Sequence, residues 1–160
     1  MKLVNNDLIN HGNEYRFTWA AIIAALCLIL PGFIVGGVVA FLYKSFLESI
    51  GIGSSHWIFF LEWIDKVVLM GFPSMMHGAI GGGLTIIVTS KIFKYANMSI
   101  VRYTTSAIFI LMLIVASVYA FFFIPFDEIL INDLTKATIE TIGVIVGLFY
   151  FQTNESSTSN

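Results

Sequence analysis

Apolar positions in this chain come in long blocks with charge only at their edges. Residues 17–43, between Arg16 and Lys44, form 27 consecutive positions without a charge. Residues 67–90, between Lys66 and Lys91, and residues 103–126, between Arg102 and Asp127, repeat the pattern. A bilayer core about 30 Å thick is crossed by roughly 20 helical residues, so each block is long enough to span. A fourth block, residues 134–151, carries Lys136 near its start and Glu140 well inside. It reaches spanning length only if Glu140 is admitted, and we read it as a span. The alternative is a short re-entrant or surface helix.

The segments between blocks have their own signals. Pro31-Gly32 predicts a kink near Leu30, since proline removes a donor and crowds the preceding turn. Residues 44–53 lead out through Gly51-Ile52-Gly53. In residues 54–66, Ser54 or Ser55 can cap a helix that places Trp57, Phe60, Leu61 and Ile64 at helical spacing. Trp57 and Trp63 suit a bilayer boundary, so an interfacial helix is expected there. The second block holds Pro73, His77 and Gly81-Gly82-Gly83, a composition that packed membrane helices tolerate and isolated ones do not. The third is bulky, aromatic and ends at Pro125. The pattern predicts an all-α, polytopic integral membrane protein: four transmembrane helices in one domain over residues 1–151, then a flexible polar tail at 152–160.

Composition agrees. The chain has 160 residues, 58% apolar and 11% charged, where a soluble domain carries about 25% charged residues. No segment between spans approaches the roughly 50 residues of a separate domain. The first block is too long for a signal-peptide core and reads as a retained span. A net charge of −2 gives no reason to expect direct nucleic-acid binding. Cys27 is the sole cysteine, which excludes an intrachain disulfide and a cysteine-based metal site. It reads as a small buried apolar residue. Lysine and arginine placement sets the topology. Lys2, Arg16, Lys91, Lys94 and Arg102 fall on one side, and Lys44, Lys66 and Lys136 on the other. Both termini are therefore expected in the cytoplasm of a cell-membrane protein.

Small residues recur at i, i+4 spacing. Gly32, Gly36 and Ala40 form one ridge, extended toward the N-terminus by Ala20 and Ala24. Gly78 with Gly82 and Gly143 with Gly147 form two more. In lipid, close backbone approach holds helices together, so such ridges mark helix–helix contacts. They either pack this chain's own bundle or join subunits of a homo-oligomer.

His77 and Glu140 are the ionisable side chains deep in apolar blocks, tyrosines and the cysteine aside. Charge in lipid costs about 2.5–3.5 kcal/mol on insertion scales. With four spans the second and fourth helices run the same way, and the two residues differ in depth by roughly 5 Å at 1.5 Å per residue. Three readings stay open. The two form a structural polar clasp; they line a proton or ion path; or Glu140 lies at the surface beside Lys136 with His77 satisfied separately.

Enzyme signatures are missing: no HExxH, no phosphate-cradling loop, no paired aspartates at metal spacing and no nucleophile elbow. The expectation is a non-enzyme without cofactor or metal. The layout resembles the four-span membrane subunit of the Kiwa anti-phage defence system, with spans over nearly the whole chain, cytoplasmic ends and no catalytic set. That resemblance implies a homo-oligomeric sensor in the bacterial inner membrane that recruits a cytoplasmic DNA-binding partner. It carries no role to any single residue. Two functions follow as expectations. The first is a subunit that self-associates in the lipid bilayer and docks a cytoplasmic protein through the basic loop of Lys91, Lys94 and Arg102. The alternative is a small oligomeric ion channel or proton-linked transporter, resting on the interrupted second span and on His77 and Glu140.

Overall fold

The computed structural model describes residues 3–50, 70–125 and 128–151. The described residues are all-α and form four helices. These are α1 (Leu3–Ser49), α2 (Phe72–Ile92), α3 (Met98–Phe123) and α4 (Glu128–Tyr150). The expected interfacial helix at 54–66 and the polar tail at 152–160 lie outside the described residues. Among the described residues two helices are long and apolar enough to cross a membrane: α1 over Glu14–Ser49, and α3.

Several sequence expectations change here. Residues 3–16, ahead of the first apolar block, already belong to α1. Pro31, beside the expected kink near Leu30, lies inside α1, and the helix runs past the end of the apolar block through Lys44 to Ser49 before any turn. A proline costs one backbone bond, which a helix of 47 residues absorbs. Pro73 does not interrupt α2 either. It occupies the first turn, where its missing N–H would be unpaired in any case, and the helix continues through all three glycines. The fourth helix starts at Glu128 instead of Leu134. Its 23 residues, at 1.5 Å each, reach about 35 Å with Glu140 near the middle.

α2 packs along α1 on one side and α4 on the other, and α3 completes the bundle by touching α1 and α4. The core gathers at one end. It joins Ala21, Ile22, Ala25 and Ile29 of α1 to Ile86 of α2, Met98 and Val101 of α3, and Val144 and Leu148 of α4. The first half of α1 and the first half of α3 therefore meet the last halves of α2 and α4. Toward the other end the bundle opens. Phe121, Phe122 and Phe123 of α3 are 70%, 72% and 72% exposed.

Polar bonds fasten the packed end. The Thr18 hydroxyl donates to the Glu14 carbonyl at 2.8 Å and accepts the Asn97 backbone N–H at 3.0 Å. Asn97 in turn caps α3, its Oδ1 accepting from the Ile100 N–H at 3.2 Å. Arg102 donates to the Phe151 carbonyl beyond α4 at 3.4 Å. Replacing Asn97 by alanine should cost about 1 kcal/mol, the usual value of a helix N-cap. Thermal unfolding in detergent checks this. An unchanged midpoint would mean that the backbone bond from position 97 to Thr18 alone holds the start of α3.

Candidate functional site

The small-residue ridges converge on α2. Building a Cβ on each glycine shows what it approaches. On Gly32 it would lie 2.7 Å from the Gly81 carbonyl, and on Gly36 it would lie 2.5 Å from the His77 carbonyl. On Gly78 it would collide with the Glu140 carbonyl, and on Gly82 with that of Val144. From the other side, Gly143 faces the Met75 carbonyl and Gly147 that of Ala79. All six glycines thus press on backbone within this chain, where no side chain could yield. The ridge on α1 does not continue as expected. Ala20 is exposed and Ala24 and Ala40 are half-buried, whereas Thr18, Ala21, Ile22, Ala25 and Ile29 are buried. The reason is helical: steps of four drift around a helix of 3.6 residues per turn, so the packed stripe alternates steps of three and four. Cys27, expected to be buried, is exposed, because it falls off that stripe.

His77 sits where α1, α2 and α4 meet. Its Nδ1 is 3.2 Å from Glu140 Oε1, and its Nε2 is 2.8 Å from the Phe33 carbonyl oxygen. The Phe33 ring stands edge-on to the imidazole with centroids 4.8 Å apart. Both polar side chains are largely covered, 25% and 23% exposed. Lys136 is exposed, one turn before Glu140, and Glu140 turns inward to His77 instead.

This geometry fixes where protons can be. A carbonyl oxygen only accepts, so Nε2 carries a hydrogen. Nδ1 and Oε1 then need one proton between them. It resides on the imidazole, giving an imidazolium–carboxylate pair, or on the carboxyl, giving a neutral pair. Either arrangement has no net charge, which suits apolar surroundings where an isolated charge costs several kcal/mol.

The clasp and the glycine seams are one construction. Gly36 approaches the backbone of His77, and Gly78, the next residue, approaches the backbone of Glu140. Two of the close backbone approaches therefore occur at the two residues whose side chains bond. The clasp needs the glycines, because a side chain at position 36 would push α2 away and stretch the Nε2 bond to Phe33.

The basic loop divides. Lys91, Lys94 and Tyr95 are exposed, while Arg102 is half-buried and engaged with the end of α4. Among the described residues no group of three or more His, Cys, Asp or Glu side chains is placed to hold a metal ion. The Phe33 carbonyl, as second partner of His77, had no sequence signal, since every residue carries one. The bond from Asn97 to Thr18 had half a signal: Asn97 precedes an apolar helical run, as caps do. Neither family models, curated proteins nor solved structures give a match to this chain.

Proposed function

We propose that the chain crosses a bilayer four times and serves as a non-enzymatic membrane subunit. In this reading it self-associates and docks a protein at its cytoplasmic end. The observation that carries the reading is the apolar outer surface of α1 and α3. Ile34, Phe41 and Phe46 of α1 and Phe121 to Phe123 of α3 all stand more than 60% exposed. Water does not tolerate apolar patches of that extent on a stable monomer, whereas lipid does. α2 is the central, glycine-rich helix, and the clasp bridges its seam with α4.

The glycine ridges are used within the chain, so self-association falls to another surface. The outer half of α3, where Ala120 alone is buried and Phe121, Phe122 and Phe123 stand exposed, is that surface. At the opposite end the turn between α2 and α3 offers Lys91, Lys94 and Tyr95, the last 77% exposed. A basic, aromatic-bearing turn suits a partner with an acidic surface. The resemblance in layout to the Kiwa membrane subunit supports a cytoplasmic DNA-binding protein of a defence system as that partner.

Pull-down from native membranes in mild detergent, with mass measurement of the intact complex, tests the reading. The expected mass exceeds one chain and includes a second protein. Lys94→Glu combined with Tyr95→Ala should remove the second protein and leave the oligomer. A monomer without a partner would sink the proposal.

One observation favours a second reading, a proton-linked transporter or small ion channel. The pair sets an imidazole and a carboxyl group 3.2 Å apart and keeps about a quarter of each side chain accessible. Against it, α2 is continuous through His77, so the broken helix typical of such ion sites is absent there. Liposomes that carry the protein and show no proton, cation or anion flux across pH 5–8 would exclude this reading.

A further inference from the structure

The clasp lies off centre in the bundle. His77 is fourteen residues from Lys91 at the packed end, or about 21 Å of helix at 1.5 Å per residue. Glu140 is eleven residues, about 17 Å, from Phe151 at that end, but four, about 6 Å, from exposed Lys136. Gly37, beside the imidazole, is seven residues, about 10 Å, from Lys44. The two directions also differ in packing. Toward the packed end stand Ala25, Ile29, Ile86, Val144 and Leu148, each 5% exposed or less. Close-packed apolar side chains shut that direction. Toward the open end, Ala40 of α1 and Leu113 and Ser117 of α3 are only half-buried. Leu47, Ala120 and Leu130, farther out, are buried but do not join the core. The imidazole is turned to the same side. The Phe33 ring meets both it and the Phe109 ring of α3, at centroid distances of 4.8 and 6.4 Å. The imidazole therefore sits where α1 looks toward α3. Gly37 is half-buried there, and a Cβ on it would lie 3.5 Å from Nε2. With glycine at position 37, no side chain from that residue covers the ring.

We propose that the His77–Glu140 pair is a proton-binding site served from the open end only, through a water-filled crevice between α1 and α3 that passes Gly37. The inference rests on the membrane reading above and deepens it. A proton taken up by the pair comes from water at the open end and returns there, and none passes through the core. The pair then follows the acidity of one compartment, as a sensing subunit requires, and drives no transport. With the topology expected from lysine and arginine placement, that compartment lies outside the cytoplasm. Among the described residues few other titratable groups surround the pair. Along α1 from Thr18 to Tyr43 they are Cys27, exposed, and Tyr43, whose ring packs on Phe72 with centroids 5.3 Å apart. α2 offers none nearer than Lys91. α3 has Arg102 and Tyr103 at its packed end and exposed Tyr119 toward the other. α4 adds Asp133 and Lys136, both exposed, two turns and one turn before Glu140. Asp133, at i−7, shares the helix face of Glu140 and favours positive charge at the mouth of the crevice.

The test uses the full chain with Cys27→Ser and Gly37→Cys in sealed membrane vesicles of both orientations. The probe is silver ion, which is small, water-borne and binds a thiol in place of its proton. A tag after the C-terminus marks the packed end, where Phe151 meets Gly83 and Arg102. Its protection from protease shows which end faces outward. Silver should block the thiol at least about tenfold faster when the open end faces outward, because an ion crossing a packed apolar core costs several kcal/mol. Thr105→Cys, at a fully buried position, should stay unreactive from both sides. Ala40→Cys, one turn nearer the open end, repeats the test if Gly37→Cys does not fold, as judged by circular dichroism. Equal rates from both sides would overturn the proposal and give the transporter reading its path. Faster reaction from the packed end, silver reaching Thr105→Cys, or no reaction with silver from either side would overturn it as well. In the last case a lipid-soluble maleimide that does react would show the crevice facing lipid. An alkaline carbonate wash of the source membranes separates the two levels. Release of the protein would overturn the membrane reading itself, whereas a protein that stays embedded but fails the silver test overturns this inference alone.

Discussion

Gly147→Val should collapse the seam between α2 and α4. A Cβ at Gly147 would overlap the Ala79 carbonyl and approach the Gly83 nitrogen to 2.7 Å. Both are backbone atoms in the middle of a helix, so relief requires the helices to separate. Separation also parts Gly78 from Glu140 and Gly82 from Val144, because the three contacts lie on one line. The cost should reach at least about 3 kcal/mol, the upper range for overpacking in a close-packed interior. For a chain of this size that corresponds to a fall of about 6–12 °C in the unfolding midpoint. Gly37→Ala is the matched control. Its Cβ would meet His77 Nε2 at 3.5 Å and His77 Cδ2 at 3.9 Å, which is ordinary contact. Alanine favours a helix over glycine by roughly 1 kcal/mol, so this variant should be neutral or slightly more stable. Equal losses at positions 37 and 147 would mean that glycine serves α1 and α4 by something other than space. Thermal unfolding of both variants in one detergent decides it.

That contrast shows what the sequence could and could not disclose. Spacing alone identified Gly32, Gly36, Gly78, Gly82, Gly143 and Gly147 as contact residues, because small side chains at i, i+4 leave a groove along a helix. It could not say which helix fills the groove, since a second copy and a neighbouring helix are the same to a glycine. Adjacent Gly36 and Gly37 look alike in sequence but lie 100° apart around α1, and one is buried while the other is half-buried. His77 and Glu140 stood out because ionisable groups are rare in apolar blocks, and the same direction of travel for α2 and α4 made a meeting geometrically open. Their third partner, the Phe33 carbonyl, was invisible for want of any distinguishing side chain. Element ends were the weakest reading. Charges at residues 7–16 and 128–136 bound the apolar blocks, but a backbone helix is not limited to apolar residues, and α1 and α4 run on through those charged stretches. Pro73 misled for a related reason: a proline breaks a helix interior but suits a helix start, and only the position of the start tells which applies.

The largest coupled effect should appear between His77 and Glu140. His77→Ala leaves the Glu140 carboxyl facing an apolar seam without its partner, and also strips the Phe33 carbonyl of a donor. Glu140→Ala leaves Nδ1 unpaired, while Nε2 stays on Phe33. Breaking one side of a buried polar pair costs about 3–5 kcal/mol at full burial. With nearly a quarter of each side chain accessible, about 2–3 kcal/mol is expected for each single change. The double change removes both groups together, so its loss should fall short of the sum by about 1 kcal/mol or more. Glu140→Gln separates hydrogen bonding from proton sharing. The Nε2 hydrogen is fixed by Phe33, so a neutral His77 presents Nδ1 as an acceptor, and the glutamine amide can donate to it. This variant should be the mildest of the set in thermal stability. If the protein also moves protons, the same variant should retain its fold and lose the flux, since an amide has no proton to exchange. Additive losses across the cycle would remove the clasp as a unit. The shared tether of α1, α2 and α4 would then reduce to the glycine seams alone.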